Sequence, residues 1–295
     1  MQLDRVWLGT VQLGLAYGLA KRRLSVTECF RQMDAAWDAG IRRFDTARIY
    51  GDAESRIGAW ISSRGRLPLI TSKVPMLEEL PDAEVPDAFA SALRTTLGHL
   101  GLERLDIYLC HHADDFKRTV VRDCLDRAKA DGLIGGYGIS CYGPEEAIDA
   151  FKIREDMALI QAPANILDRR VMGSSLPFVA DRHGAILQLR SLYLQGALLM
   201  KPEELPTHIR GLGPFVSVFR EKARKARLSP AALAVAYIAH RIPNSHLVIG
   251  FRSVAQIEAL KKVPDDTGRL TELFDDIDAA LVDIPPALVD PRTWK

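Results

Sequence analysis

Short apolar runs and helix-period segments trade places along this chain at a steady beat, and that alternation restricts its fold more than any other feature. The stretches 6–13, 41–46, 67–72, 105–111, 136–140, 158–162, 185–191 and 246–250 read as strands. Helical spacing occupies 25–39, 53–64, 85–99, 119–131, 144–154, 174–183 and 229–240 between them. Ser25-x-x-Glu28 has the form of a capping box, and Pro230 stands at the first position of its helix. Strands that alternate with helices form parallel units with right-handed crossovers, and eight such strands suit closure better than an open sheet. The expectation is an α/β protein, a (β/α)8 TIM barrel formed by 1–295 as a single domain. Segment 192–228 reads as an insertion after the seventh strand. The tail from Leu270, with Leu273, Ile277 and Leu281 in helical register, predicts an extra C-terminal helix packed outside the barrel and ending before Pro285-Pro286.

Charge and cysteine usage narrow the function classes. Lys and Arg total 39 against 38 Asp and Glu, a formal net charge of +1, so no broad field gathers nucleic acid or coats an anionic membrane. Any anion site must be local. Cys29, Cys110, Cys124 and Cys141 form no CxxC pair and no tight framework. The opening MQLDRVWLGT lacks a basic region followed by an apolar run, and no window approaches the roughly 18 apolar residues of a membrane span. The expectation is a cytoplasmic protein with a small-molecule partner, binding neither nucleic acid nor membrane. Protein partners are not legible.

In a closed barrel, chemistry gathers at the C-terminal strand ends. Asp45 ends the second strand, with Tyr50 a few residues on; Lys73 ends the third and His111 the fourth. Taken singly, each is as consistent with a cap, a solvated charge or a satisfied polar group. Together they carry an argument, because a phenol with a pKa of about 10 is a weak acid, an ammonium beside it favours the phenolate, and a buried carboxylate keeps that ammonium charged. Adjacent His111 and His112 point to opposite faces of a strand, so one of them, taken as His111, enters the mouth. One strand cannot aim both at one ion, and no other Cys/His spacing helps, so no metal is expected.

The block Gly40-Ile-Arg-Arg-Phe-Asp-Thr-Ala-Arg-Ile-Tyr-Gly-Asp-Ala-Glu-Ser-Arg-Ile-Gly58, followed by Thr71-Ser-Lys73, Leu105-Asp-Ile-Tyr-Leu-Cys-His111 and Gly132-Leu-Ile-Gly-Gly-Tyr-Gly-Ile-Ser140, resembles the aldo-keto reductase family nearly end to end. Leu8-Gly-Thr-Val-Gln-Leu-Gly14 and Leu189-Arg-Ser-Leu-Tyr-Leu-Gln-Gly-Ala-Leu-Leu199 look most like bacterial members found with sugar and polysaccharide biosynthesis. The resemblance implies NADPH-dependent reduction of an aldehyde or ketone to an alcohol, with NADH as an alternative cofactor. By that resemblance Tyr50 is the general acid, Lys73 and Asp45 tune it, and His111 orients the carbonyl. Ser140 and Gln161 match positions that bind the nicotinamide carboxamide, with Asn165 a further neighbour. Gly250, Arg252, Ser253 and Gln256 form a phosphate site, Ser253-x-x-Gln256 reading as a capping box and Arg252 pointing to a 2′-phosphate.

Some positions depart from the family pattern. Cys141 replaces an asparagine that helps hold the carboxamide, His112 replaces a bulky aromatic, and Ala259-Leu260 falls where an asparagine often meets adenine. Arg190 replaces an aromatic ring laid against the nicotinamide. It stands as a cofactor contact or, because a second cation disfavours NADP⁺, as a group turned toward an anionic substrate or a phosphate. Loops 14–25, 112–118 and 192–214 would choose the substrate. Their Tyr17, Lys21, Arg22, Arg23, Asp114, Asp115, Lys117, Tyr193 and Gln195 fit a small polar, sugar-like ligand or simple solvation. The same residues also serve an oxidising sugar or alcohol dehydrogenase, or a silent NADP(H)-binding sensor or accessory protein, since fold alone does not fix function.

Overall fold

A computed structural model describes residues 3–19, 21–251, 253–264 and 267–294. Eight strands, β1 (Val6–Gly9), β2 (Arg43–Asp45), β3 (Leu69–Val74), β4 (Leu105–Cys110), β5 (Ile134–Ser140), β6 (Leu159–Pro163), β7 (Ile186–Arg190) and β8 (His246–Gly250), run in sequence order around a closed barrel. Every neighbouring pair is parallel, and Gly9 opposite Gly250 closes the ring between β1 and β8. The helices return the chain along the outside, which leaves the polar strand ends at one rim.

The period of two along each strand sorts the side chains. Trp7, Ile107, Leu109 and Leu159 are buried together inside the ring, with Leu69, Ile186 and Val248 packed against them. Leu8, Phe44, Ile70, Tyr108, Ile139 and Ile160 belong instead to the larger core shared with the helices. At the opposite end from the polar rim, Trp7 donates its indole N–H to His246 Nδ1 at 2.9 Å. Burial and the nearby Arg43 and Arg5 lower the His246 pKa to about 4, so it remains a neutral acceptor.

Ser25 and Glu28 close the expected capping box at the helix Val26–Asp38. Boundaries move where local chemistry overrides apolar pattern. The first strand stops at Gly9, because Val11–Gly14 turns helical and buries Gln12 and Leu13. The third begins at Leu69, after Pro68, which has no N–H for the ladder. Segment 192–228 contains a 13-residue helix, Gly213–Lys225, with Val216, Phe219 and Ala223 buried. The tail helix Thr271–Ala280 packs outside the barrel through Phe274 and Ile277. Its Asp278 accepts from Tyr237, Arg169 and Arg241, tying the tail to the loop after β6.

Gly138 on β5 stands opposite Leu159 on β6, and a Cβ there would overlap the Leu159 carbonyl oxygen. Gly138→Ala should cost about 3 kcal/mol or more, because backbone cannot yield as a side chain does. Urea unfolding measures it; a loss under about 1 kcal/mol would show that the two strands separate at little cost.

Candidate active site

The ends of β2 and β3 create the central feature. Lys73 is fully buried, and its Nζ lies 2.9 Å from both Asp45 carboxylate oxygens and 2.9 Å from the Thr46 carbonyl oxygen. Burial alone would lower its pKa, but Asp45 and Tyr50 outweigh that effect and raise it. Tyr50, on the loop after β2, comes from solvent to meet the ammonium, with its hydroxyl 3.4 Å from Nζ. Gly14 allows this approach, since a Cβ there would overlap the Tyr50 carbonyl oxygen and the backbone beyond it.

Asp45 is held from the far side of the barrel as well. Gln161 Nε2 donates to Asp45 Oδ1 at 2.7 Å and to Gln188 Oε1 at 2.5 Å, while its own Oε1 accepts from Ser140 Oγ at 3.1 Å. Both amide protons of Gln161 are therefore committed, and Ser140 keeps acceptor capacity on its oxygen. One hydrogen-bonded layer spans β2, β3, β5, β6 and β7. Gln188 was not among the expected site residues, although its place between Ile186 and Arg190 gives it the same inward face.

A cavity of about 580 Å³ opens above this layer. Tyr50, His111, Ser140, Gln161, Asn165, Arg190, Gly250 and Gln256 line it, so most of the expected residues meet at one place. His111 is half-buried and lies edge-on to Tyr50, with ring centroids 6.1 Å apart. Burial, then Lys73, Arg190 and His112, lower its pKa to about 3, and its buried Nδ1 has no hydrogen-bond partner among the described residues. His112 turns aside, edge-on to Tyr142. Asn165 Oδ1 accepts from the backbone N–H groups of Leu167 and Asp168, and its Nδ2 donates to the Ser191 carbonyl, fixing the loop after β6 to the one after β7.

Other expectations change. Ser253 makes no side-chain cap for the helix Val254–Leu260, so the capping box there does not form; Ser253 is exposed in extended backbone instead. Arg252 lies outside the described residues. Cys141 does not line the cavity: it is buried, its pKa is pushed up to about 12 by burial, and its thiol faces the Gln161 carbonyl. Of the polar loop residues, Tyr17, Tyr193 and Gln195 reach the cavity. Arg22 pairs with Glu28, Arg23 with Asp52 and Lys117 with Asp114, while buried Asp115 accepts from Leu77 N. None of these groups lines the cavity. Tyr142, Asp168, Arg170, Asp290 and Arg292 also line the cavity; no periodicity in the tail announces the last two.

A model of the Aldo/keto reductase family matches residues 5–274, and the chain belongs to that family. It is 26% identical over 209 residues to a D-threo-aldose 1-dehydrogenase of Pseudomonas sp., covering 59% of this chain and 64% of that enzyme. It is 33% identical over 131 residues to an aldo-keto reductase of Mycolicibacterium smegmatis, covering 44% and 45%. The chain thus spans less than two thirds of the length of these curated relatives. The glycerol dehydrogenase AKR11B4 from Gluconobacter oxydans superposes with a TM-score of 0.76 at 24% identity over 99% of both chains. The holo form of aldo-keto reductase AKR11C1 from Bacillus halodurans gives 0.73 at 21%, over 99% of this chain and 95% of that one. Those two likenesses carry the fold alone. Among the described residues no helix is long and apolar enough to cross a membrane, and no His/Cys/Asp/Glu group has the makings of a metal site.

Removing one half of the buried ion pair exposes its worth. Lys73→Met should destabilise the protein by about 3–5 kcal/mol, and adding Asp45→Asn should recover part of that loss in urea unfolding, because the stranded charge is then gone. An unfolded histidine binds a proton near 6.5 and His111 only near 3, so its contribution to stability is lost as the pH falls through that window. The ring resonance missing from the His111→Gln NMR spectrum should accordingly stay unshifted from about pH 8 to 5. An inflection near 6.5 would mean that water reaches the ring.

Proposed function

We propose that this protein reduces a small polar, sugar-like aldehyde or ketone to the alcohol, with NADPH as cofactor and Tyr50 as general acid. The observation that carries the reading is the Tyr50 hydroxyl, 3.4 Å from a fully buried ammonium and facing the same cavity as neutral His111. Bound NADPH would supply the hydride. Ser140 keeps an acceptor for a carboxamide N–H, and Gln161 Oε1 a remaining lone pair, so these residues fit the nicotinamide end. Gly250 and Gln256 line the cavity beside β8 and fit the rest of the cofactor. The choice of NADPH over NADH rests on Arg252 in the sequence, since a guanidinium fork suits phosphate oxygens.

The chain's own residues then divide the work. Tyr50 gives its proton to the carbonyl oxygen as negative charge builds there. Lys73 stays protonated through Asp45 and offsets the charge left on the Tyr50 oxygen. His111, neutral at working pH, offers the carbonyl an N–H without competing as a proton source. The reverse direction uses the same groups, with Tyr50 as base. A relative named as an aldose dehydrogenase favours keeping oxidation of a sugar as the second reading.

Purified protein tested with NADPH plus aldehydes, and with NADP⁺ plus sugars, separates the two directions, and NADH beside NADPH tests cofactor choice. Tyr50→Phe should lower kcat by about 10² to 10⁴ while the fluorescence-measured Kd for NADPH moves less than about threefold. If NADPH binds, no carbonyl is reduced and Tyr50→Phe changes nothing, the protein is a cofactor-binding sensor or accessory subunit instead.

A further inference from the structure

The charges around the cavity are balanced unevenly. Arg170 and Arg292 line it from exposed positions, yet each is clamped by a carboxylate: Arg170 by Asp168 at 2.8 and 2.7 Å, and Arg292 by Asp290 at 2.6 to 3.0 Å. Lys73 beneath has Asp45. Arg190 is half-buried and has no carboxylate within ion-pair distance among the described residues. It is held by neutral groups: one terminal nitrogen donates to the Cys141 carbonyl at 3.0 Å, the other to Ser191 Oγ at 3.3 Å, and the guanidinium lies 4.8 Å from the Tyr142 ring centre. Arg292 lies 3.9 Å from the same ring and helps fix it.

Partial burial of an uncompensated charge is unfavourable, so the fold spends stability to keep Arg190 this way. The contacts orient the guanidinium and leave N–H groups on all three nitrogens uncommitted. Its position separates two sources of anion. Arg190 leans from β7 across β6 to the end of β5, the neighbour of the strand that leads to His111. The phosphate-reading residues of the sequence lie after β8, on its other side. The guanidinium also contributes to the depressed pKa of His111, so the two share one electrostatic environment.

We propose that Arg190 is the specificity residue of the substrate site, its guanidinium taking the carboxylate or phosphate of an aldehyde whose carbonyl lies at Tyr50 and His111. This rests on the carbonyl-reduction reading and adds a substrate class to it: short oxo-acids and phosphorylated aldehydes ahead of their neutral counterparts. An anion at Arg190 completes the pairing that the fold leaves open and offsets the extra cation when the nicotinamide is oxidised.

The test compares matched pairs under saturating NADPH: 4-oxobutanoate with its methyl ester, and glyceraldehyde 3-phosphate with glyceraldehyde. The wild type should favour the anionic member by about tenfold in kcat/KM, mainly through KM, the preference should weaken as salt rises, and Arg190→Gln should bring the ratio near one. Arg190→Lys should restore part of it. A ratio unchanged in Arg190→Gln, or absent from the wild type, overturns the proposal. So does an equal loss on both members with a matching rise in the Kd of NADPH, which would assign the guanidinium to the cofactor's phosphates. If Arg190→Gln does not fold, the salt dependence of the wild-type ratio decides. If nothing is turned over, calorimetry with 4-hydroxybutanoate decides: binding to the wild type and not to Arg190→Gln keeps the anion site while the reductase reading falls, and equal or no binding overturns the site.

Discussion

Lys73 keeps a full charge where no water reaches it, and much of the architecture at the barrel mouth follows from what that requires. An ammonium in such a place is tolerated only with a carboxylate against it and its other protons satisfied, which Asp45 and the Thr46 carbonyl provide. Asp45 in turn is steadied by Gln161, and Gln161 by Ser140 and Gln188. The ends of five strands are thereby joined in one layer. Lys73, Asp45 and Gln161 at its centre each have two or more partners, so disruption would strand a charge in the core, while the buried Gln188 Nε2 at its edge has no partner among the described residues. Closure of the barrel and preparation of the site are therefore one structural event.

Three of the basic groups in the cavity region are kept in three different conditions. Lys73 stays charged because its counter-ion is fixed beside it. His111 stays neutral because burial and two cations act together against its proton. Arg190, which cannot shed its charge, is held in place by a ring and two oxygen acceptors, with no counter-ion among the described residues. Lining residue types alone, with Asp45, Asp168, Glu204 and Asp290 against Arg170, Arg190 and Arg292, would suggest a pocket of balanced charge. The partners of each group show a division into a buried tuning charge, a neutral hydrogen-bond donor and an open cation.

Strands and loops divide the labour in the usual barrel manner. Asp45, Lys73, Ser140 and Gln161 stand on strands or their last residues, where the ladder fixes them. Tyr50 depends on a loop seated against Gly14, and the outer wall depends on Tyr142, the loop after β6 and the tail at 289–292. The tail helix, anchored through Asp278 to Arg169 and Arg241, extends that support around the outside.

The alternation of apolar strands with helical segments was sufficient to derive a closed eight-stranded barrel, and the strand-end positions of Asp45, Lys73 and His111 were visible because apolar runs end there. Those features are local: they need only the period of each segment and the rule that strand ends share a rim. Contacts between distant parts of the chain were not visible. Gln161 meets Asp45 across 116 positions of sequence, Arg190 meets the Cys141 carbonyl across 49, and Arg292 reaches Tyr142 from the far tail. Local pattern also misdirected. Asp115 read as facing either a polar ligand or solvent and is buried against Leu77, and Ser253 looked like a cap and makes none. The sequence by itself determined the order of elements and the rim where polar groups gather, since periodicity and burial are properties of each segment. Tertiary structure alone decided which of those groups neutralise one another and which stay open, because that depends on distances set only when the ring closes.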